Sequence, residues 1–216
     1  MLLYSYFRST AAYRVRIALH LKQIEHTIAP INLMDSQQRS EAFLADNSQG
    51  LVPALKLSDG TVISQSAAIL EWLEETYPHP ALYSDNIIQR AQQRALCQHI
   101  ACDIHPLNNL RVLRYLRNEL KQGTESVDRW YAHWISQGFV AIEQAVRDFP
   151  GHFSLGQQPG MLEVLLIPQV FNARRFNVDI EAFPAIVSLD QRTSELPAFA
   201  EAHPNRQPDT PIDERA

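Results

Sequence analysis

Residues 8–19 read Arg-Ser-Thr-Ala-Ala-Tyr-Arg-Val-Arg-Ile-Ala-Leu, and the reading of this stretch decides the fold. A short apolar run over residues 2–6 leads into Arg8, Ser9 and Thr10. An amphipathic pattern then begins, with Ala11, Val15, Ala18 and Leu19 at three- and four-residue spacing. Two hydroxyl residues therefore stand where a strand hands over to a helix. The amides of a helix's first turn lack internal partners, and its dipole is positive at that end. Such a place suits an anion, and a hydroxyl there can hold a thiolate. The same residues serve equally as a plain helix cap. This stretch alone leaves both readings open.

Outward from it, the period changes repeatedly over the first 80 residues. A strand over 2–6 and a helix over 11–22 are followed by a second strand over 26–31 and a short helix over 40–47. Residues 54–57 and 61–63 form two short strands joined by Ser58-Asp59-Gly60, a turn signal. Ser66 then caps a helix with Ile69, Leu70, Leu73 and Tyr77 inward, stopped by Pro78. The order βαβ then ββα is that of a small α/β unit.

Pro78-His79-Pro80 opens a linker to about residue 85. Beyond it the pattern is helical, over 87–104, 107–121, 126–146 and 161–176, the first two parted by Pro106. The last of these is apolar on every side, which suggests the centre of a helical domain, with a kink at Pro168. Trp130 and Trp134 are at core spacing. The tail from His203 holds three prolines and reads as extended. Domains over 1–80 and 86–216 follow.

The composition, 45% apolar and 20% charged with a net charge of −5, is that of a soluble protein without a nucleic-acid surface. No apolar run approaches the roughly 20 residues that span a bilayer. The first residues lack the basic region and apolar core of a signal peptide, so cytoplasmic residence is expected. Cys97 and Cys102 lie five apart in a helical pattern and read as buried free thiols. No cysteine or histidine pair has a zinc spacing, so no metal is expected.

Two further elements carry chemistry. Proline in Leu51-Val52-Pro53-Ala54 is common as a trans residue at a strand start. A cis bond, about 5–6% of such bonds, would instead turn the amide and carbonyl of Val52 outward to pair with a peptide-like ligand. Gln65-Ser66 is a helix cap, or else a carboxylate site in which the Ser66 amide and hydroxyl hold one oxygen with Gln65 beside it.

Together the three elements resemble the glutathione-binding, thioredoxin-like domain of cytosolic glutathione transferases, and the helical remainder is similar to that family's second domain. More narrowly, Tyr4-Ser5-Tyr6-Phe7-Arg8-Ser9-Thr10 with Tyr13-Arg14-Val15-Arg16-Ile17-Ala18-Leu19 resembles the zeta class. The resemblance continues through Ala29-Pro30-Ile31-Asn32-Leu33, Leu70-Glu71-Trp72-Leu73-Glu74-Glu75 and Cys102-Asp103-Ile104-His105-Pro106-Leu107-Asn108-Asn109. It closes with Ile167-Pro168-Gln169-Val170, Asn172-Ala173-Arg174-Arg175-Phe176 and Gln207-Pro208-Asp209-Thr210-Pro211. It implies an α/β thioredoxin-like domain followed by an all-α helical bundle, in a homodimer.

The resemblance also implies roles. Ser9 would hydrogen-bond the glutathione sulfur, with Thr10 beside it. Lowering a free thiol's pKa from about 8.5 by two units needs roughly 2.7 kcal/mol of preference for the thiolate. A hydroxyl and a helix N-terminus supply that order. Val52 would pair with the cysteinyl backbone, and Gln65 and Ser66 would hold the γ-glutamyl carboxylate. Gln49, His105 and Asn109 are further glutathione contacts. The implied reaction is cis–trans isomerisation of a cis-enedione with carboxylate ends. Maleylacetoacetate in tyrosine and phenylalanine breakdown is the first substrate, maleylpyruvate the second, and α-halo acids a third. A non-catalytic binding module is the rival outside enzymes. Arg8, Arg111 and Arg175 are the carboxylate anchors, because the guanidinium fork stays charged and binds carboxylate in two places; each is equally a candidate for an ordinary ion pair. Arg14 and Arg16 read as supports of the helix. Two positions depart from the family pattern: Ala11 stands where the class commonly has cysteine, and Gly160 where a hydroxyl residue usually caps, with Glu163 able to reach back to its backbone.

Overall fold

The computed structural model describes residues 1–149 and 151–215, in two compact units. The first holds residues 1–81 together with 194–216, and the second holds 82–193.

In the first unit, β1 (Leu2–Ser5) is one of two inner strands of a mixed sheet in the order β2-β1-β3-β4. β2 (Thr27–Pro30) runs parallel to β1, and β3 (Ala54–Lys56) and β4 (Val62–Ser64) run antiparallel in turn. Between β1 and β2 the chain crosses over through α1 (Thr10–Leu21), as a parallel pair requires. α1 packs against α3 (Ser66–Thr76), and Val15, Ile17, Leu19, Ile69 and Leu73 are fully buried. α2 is the short helix Glu41–Asp46.

Three cations of α1 and its C-cap, Arg14, Arg16 and Lys22, are buried with these apolar residues. The Arg16 guanidinium donates to the carbonyls of Phe7 at 3.1 Å and Ala202 at 2.9 Å, and to Ser5 Oγ at 3.0 Å. At the other end of the helix, Lys22 Nζ donates to the carbonyls of Tyr77 and Pro80 and pairs with Glu74 at 2.7 Å. Lys22 thus closes the C-terminal end of α3, where carbonyls lack helical partners.

The residues after Ser194 pack with this first unit, whereas periodicity had joined them to the helical domain. Phe199 and Ala202, on α9 (Pro197–Ala202), are buried against α1. An amphipathic pattern tells which face is buried but not against which layer, so the sequence could not make this assignment. Nor is the tail extended. It makes turns at Pro204–Arg206 and Ile212–Glu214, held where Gln207 Nε2 donates to the His203 carbonyl and Thr210 Oγ1 to the Pro204 carbonyl.

In the second unit, α4 (Ile87–Gln98) widens into a π-helical turn over His99–Ile104. A short 3₁₀ turn (Pro106–Asn108) leads to α5 (Leu110–Asn118), α6 (Thr124–Arg147), α7 (Met161–Arg175) and α8 (Pro184–Ser194). Five residues apart on the helix, the two cysteines face different ways: Cys97 is buried but Cys102, read as buried, is exposed. Gly138 on α6 lets Ile104 approach so closely that any side chain there would collide with it. Trp130 and Trp134 meet edge to face, 5.7 Å between centroids. α7 is the core helix its composition suggested, with Val164, Leu166, Val170 and Ala173 fully buried, and it runs on through Pro168 as one element.

Two buried carboxylates cap helices here. Glu143 accepts from the amides of Ala185 and Ile186 at the start of α8. Glu163, with no exposed surface, reaches back to the Gly160 amide at 2.8 Å and also accepts from the Ser154 amide and hydroxyl. Gly160 has no side chain to offer, so Glu163 supplies the whole side-chain cap. Burial pushes its carboxyl above the ordinary range, and its donors pull the other way.

Glu163→Ala should lower the unfolding free energy by about 2–4 kcal/mol, because it leaves buried donors without an acceptor. Urea denaturation at neutral pH checks this; a loss under 1 kcal/mol would show that the cap is dispensable.

Candidate functional site

The strand register gathers the three chemical elements. Tyr4 pairs with Ala54, and Ala54 with Ser64. Because β3 is antiparallel to both neighbours, three segments meet at one end of the sheet: residues 6–10 leaving β1, residues 51–53 entering β3, and Gln65-Ser66 leaving β4. Two helices, α1 and α3, begin there, so two sets of unpaired first-turn amides share this end.

In the first segment the Ser9 amide donates to the Tyr6 carbonyl at 2.9 Å, and this tight turn sets the start of α1. Ser9 is the N-cap, its Oγ accepting from the Ala12 amide at 3.2 Å. That contact occupies a lone pair and leaves the hydroxyl proton to donate, so the capping and the thiolate readings are compatible. Thr10 opens the helix and is buried. Arg8 stands over the Phe7 ring at 5.0 Å and pairs with Glu214 at 2.5 Å.

In the second segment the Val52–Pro53 bond is cis, the rarer of the two isomers. The Val52 amide and carbonyl have no partner among the described residues, as a strand edge for a peptide-like ligand requires. The loop before it is organised by Asn47, which sequence reasoning missed. Its side chain donates to the Leu51 carbonyl and accepts from the Gln49 amide. Gly50, at φ +61°, completes that turn.

The third segment differs from expectation. Gln65, not Ser66, is the residue at the helix boundary, and it makes no side-chain cap. Ser66 is the first helical residue and is buried. Gln65 sits at φ +71°, ψ 120°, a backbone region costly for any residue but glycine. Its side chain donates to Gln49 Oε1 at 2.6 Å, so the structure joins these two predicted contacts directly. Below them, the buried Arg14 guanidinium donates to Ser66 Oγ at 3.3 Å. Arg14 supports the helix, as read, and also places a cation under the α3 N-terminus. Its signal was there: a charge on the buried face of an amphipathic helix needs a polar partner.

The remaining candidates lie in the second unit. Half-buried His105 follows the π turn, its amide donating to the Ile100 carbonyl. Asn109 is the N-cap of α5, with Oδ1 accepting from the Arg111 amide at 3.1 Å. Arg111 is exposed on the first turn of that helix. Arg175 ends α7 with its guanidinium 4.9 Å from the Phe176 ring. Phe176 in turn stacks on Tyr131 at 3.9 Å. Burial holds the Tyr131 hydroxyl un-ionised well above its ordinary range, against the opposing charge of Arg175.

The chain matches the glutathione S-transferase N-terminal domain family over residues 8–76. It is 45% identical to the maleylacetoacetate isomerase of Pseudomonas aeruginosa over 213 residues, 98% of this chain and 99% of that protein. Among solved structures, it is similar to a holo maleylpyruvate isomerase, a bacterial zeta-class glutathione S-transferase, with TM-score 0.94 and 42% identity over 98% of this chain and all of that one. It is also similar to a maleylacetoacetate isomerase of Methylobacterium extorquens with bound malonate and glutathione, with TM-score 0.93 and 34% identity over the same shares.

Gln65→Gly tests the strained residue. It should leave the unfolding free energy within about 1 kcal/mol, since the backbone strain is relieved. Glutathione affinity should fall about tenfold or more with the lost side chain. Calorimetric titration beside a urea curve reads both; unchanged affinity would remove Gln65 from the site.

Proposed function

We propose that this chain, which belongs to the zeta-class glutathione transferase family that includes the maleylacetoacetate isomerases, is itself a glutathione-dependent cis–trans isomerase. The observation that carries this reading is the meeting of Ser9, Val52 and the Gln49–Gln65 pair at one sheet end, beside two helix N-termini. This donor set suits glutathione: a free peptide edge for its backbone, first-turn amides for its carboxylate, and a hydroxyl for its sulfur.

Glutathione, when bound, would supply the thiolate nucleophile for reversible addition to the cis double bond. The chain's own residues do the rest. Ser9 donates its hydroxyl proton toward the sulfur, and the positive end of α1 favours the thiolate over the thiol. Thr10, buried at the same helix start, shapes that end. Ala11 brings no thiol, so the protein contributes no competing nucleophile there. The exposed peptide edge of Val52 orients the cysteinyl unit, while Gln49, Gln65 and Ser66 fix the γ-glutamyl end. His105 and Asn109 add glutathione contacts. Arg8, Arg111 and Arg175 hold the substrate's carboxylates. Arg175 suits that role because its guanidinium lies at a helix end, on an aromatic ring and in reach of solvent.

The first substrate is maleylacetoacetate, supported by the relative in Pseudomonas aeruginosa. Maleylpyruvate is the second reading, favoured by the likeness to the holo maleylpyruvate isomerase. The enzyme acts as a cytoplasmic homodimer; among the described residues no helix is long and apolar enough to cross a membrane.

Comparison of kcat/KM on the two acids with glutathione present tests the reading; no isomerisation of either would refute it. Ser9→Ala should cut kcat about ten- to a hundredfold, the worth of one hydrogen bond to a charged sulfur, while glutathione still binds. Unchanged turnover would move the chemistry away from Ser9. Light scattering at micromolar concentration should give twice the chain mass, and a monomer mass would refute the dimer.

A further inference from the structure

Arg8 already holds a carboxylate, and it is the protein's own. One guanidinium nitrogen, Nη2, donates to both oxygens of Glu214 at 2.5 Å. The arrangement is not the fork-on-fork pairing in which two nitrogens each meet one oxygen. The other donors of Arg8 have no partner among the described residues. Both side chains are about one-third exposed, 33% and 35%, so water screens the pair. It is formed, but it is exchangeable.

The carboxylate is delivered by a built support. Asp209 Oδ2 accepts from the Phe7 amide at 2.9 Å, which anchors the tail one residue from Arg8. Gln207 and Thr210 are buried beneath it. The Arg215 guanidinium donates to the carbonyls of Thr210 and Pro208, and so folds the last turn back on its base. Glu214 is carried on that turn, whose first residue, Ile212, is 87% exposed. The base is buried, and the turn that carries Glu214 lies at the surface.

We propose that Glu214 is a specificity-determining residue: a tethered carboxylate that occupies Arg8 and yields it only to a ligand whose own carboxylate engages the guanidinium better. The inference rests on the assignment of Arg8 to a substrate carboxylate. Dicarboxylates that also anchor elsewhere displace Glu214. Neutral enones, which gain nothing from Arg8, leave it in place. Glu214 thus raises the threshold for binding without touching the reacting atoms.

Malonate serves as an unreactive dicarboxylate probe, titrated calorimetrically into the full chain without glutathione. Glu214→Gln should bind malonate about three- to tenfold more tightly, the range of an exposed charge pair. KM for the cis-enedione acid should fall by a similar factor, with KM for glutathione unchanged. Arg8→Gln should weaken malonate, and adding Glu214→Gln to it should then change nothing. Malonate affinity unchanged or weakened by Glu214→Gln, with Arg8→Gln still weakening it, overturns the role of Glu214 and leaves Arg8 as an anchor. If Arg8→Gln leaves malonate affinity intact, the Arg8 assignment itself fails and this inference falls with it.

Discussion

The buried guanidinium of Arg16 is the interaction on which the rest of the first unit depends. It has no exposed surface, and its charge is met by the Phe7 and Ala202 carbonyls and Ser5 Oγ. Burial pulls its pKa down to about 10, partly offset by Tyr13 and Asp209, which still leaves it protonated at neutral pH. A charge taken out of water this far is tolerable only if its donors find acceptors. The acceptors come from both ends of the chain, so the cation fixes the turn after β1 and the last helix in one act. That turn carries Arg8 and Ser9, so the start of α1 is only as well placed as Arg16 is satisfied.

A second theme is the use of buried side chains to close helix ends. Lys22 meets the carbonyl of Tyr77, the C-cap of α3, Glu143 the first amides of α8, and Glu163 the amide of Gly160, the N-cap of α7. Each puts a charge where the helix dipole favours it. The two helix starts at the candidate site are treated differently. α1 is capped by a hydroxyl that keeps its proton, and α3 has no side-chain cap at all. Charged side chains close the three ends named above, and none closes these two.

Much of this was legible in sequence. The strand–Ser9–helix junction, the βαβ–ββα order and the uniformly apolar α7 are local patterns, and local periodicity reports them faithfully. The fold class, a thioredoxin-like sheet unit followed by helices, followed from the motifs. The misses share one cause, dependence on partners distant in sequence or on backbone torsion. The cis bond before Pro53, the positive φ of Gln65 and the π turn over His99–Ile104 leave no periodic trace. The tail from Ser194 belongs with the first unit because Phe199 and Ala202 fit α1, a match that neither segment announces alone. Asn47 was invisible for the same reason: an asparagine in a loop reads as turn chemistry until its acceptor is known.

The divided first unit has a consequence for how the molecule is made. A ribosome releases residues 1–81 long before residues 194–216, with the whole second unit synthesised in between. Until that final stretch emerges, Arg16 lacks the Ala202 carbonyl and α1 lacks the cover of Phe199. The nascent sheet therefore lacks one acceptor of that cation and the cover of one helix face while the second unit is made. For this unit, the amino-terminal turn gains its last partner only from residues translated more than a hundred positions later.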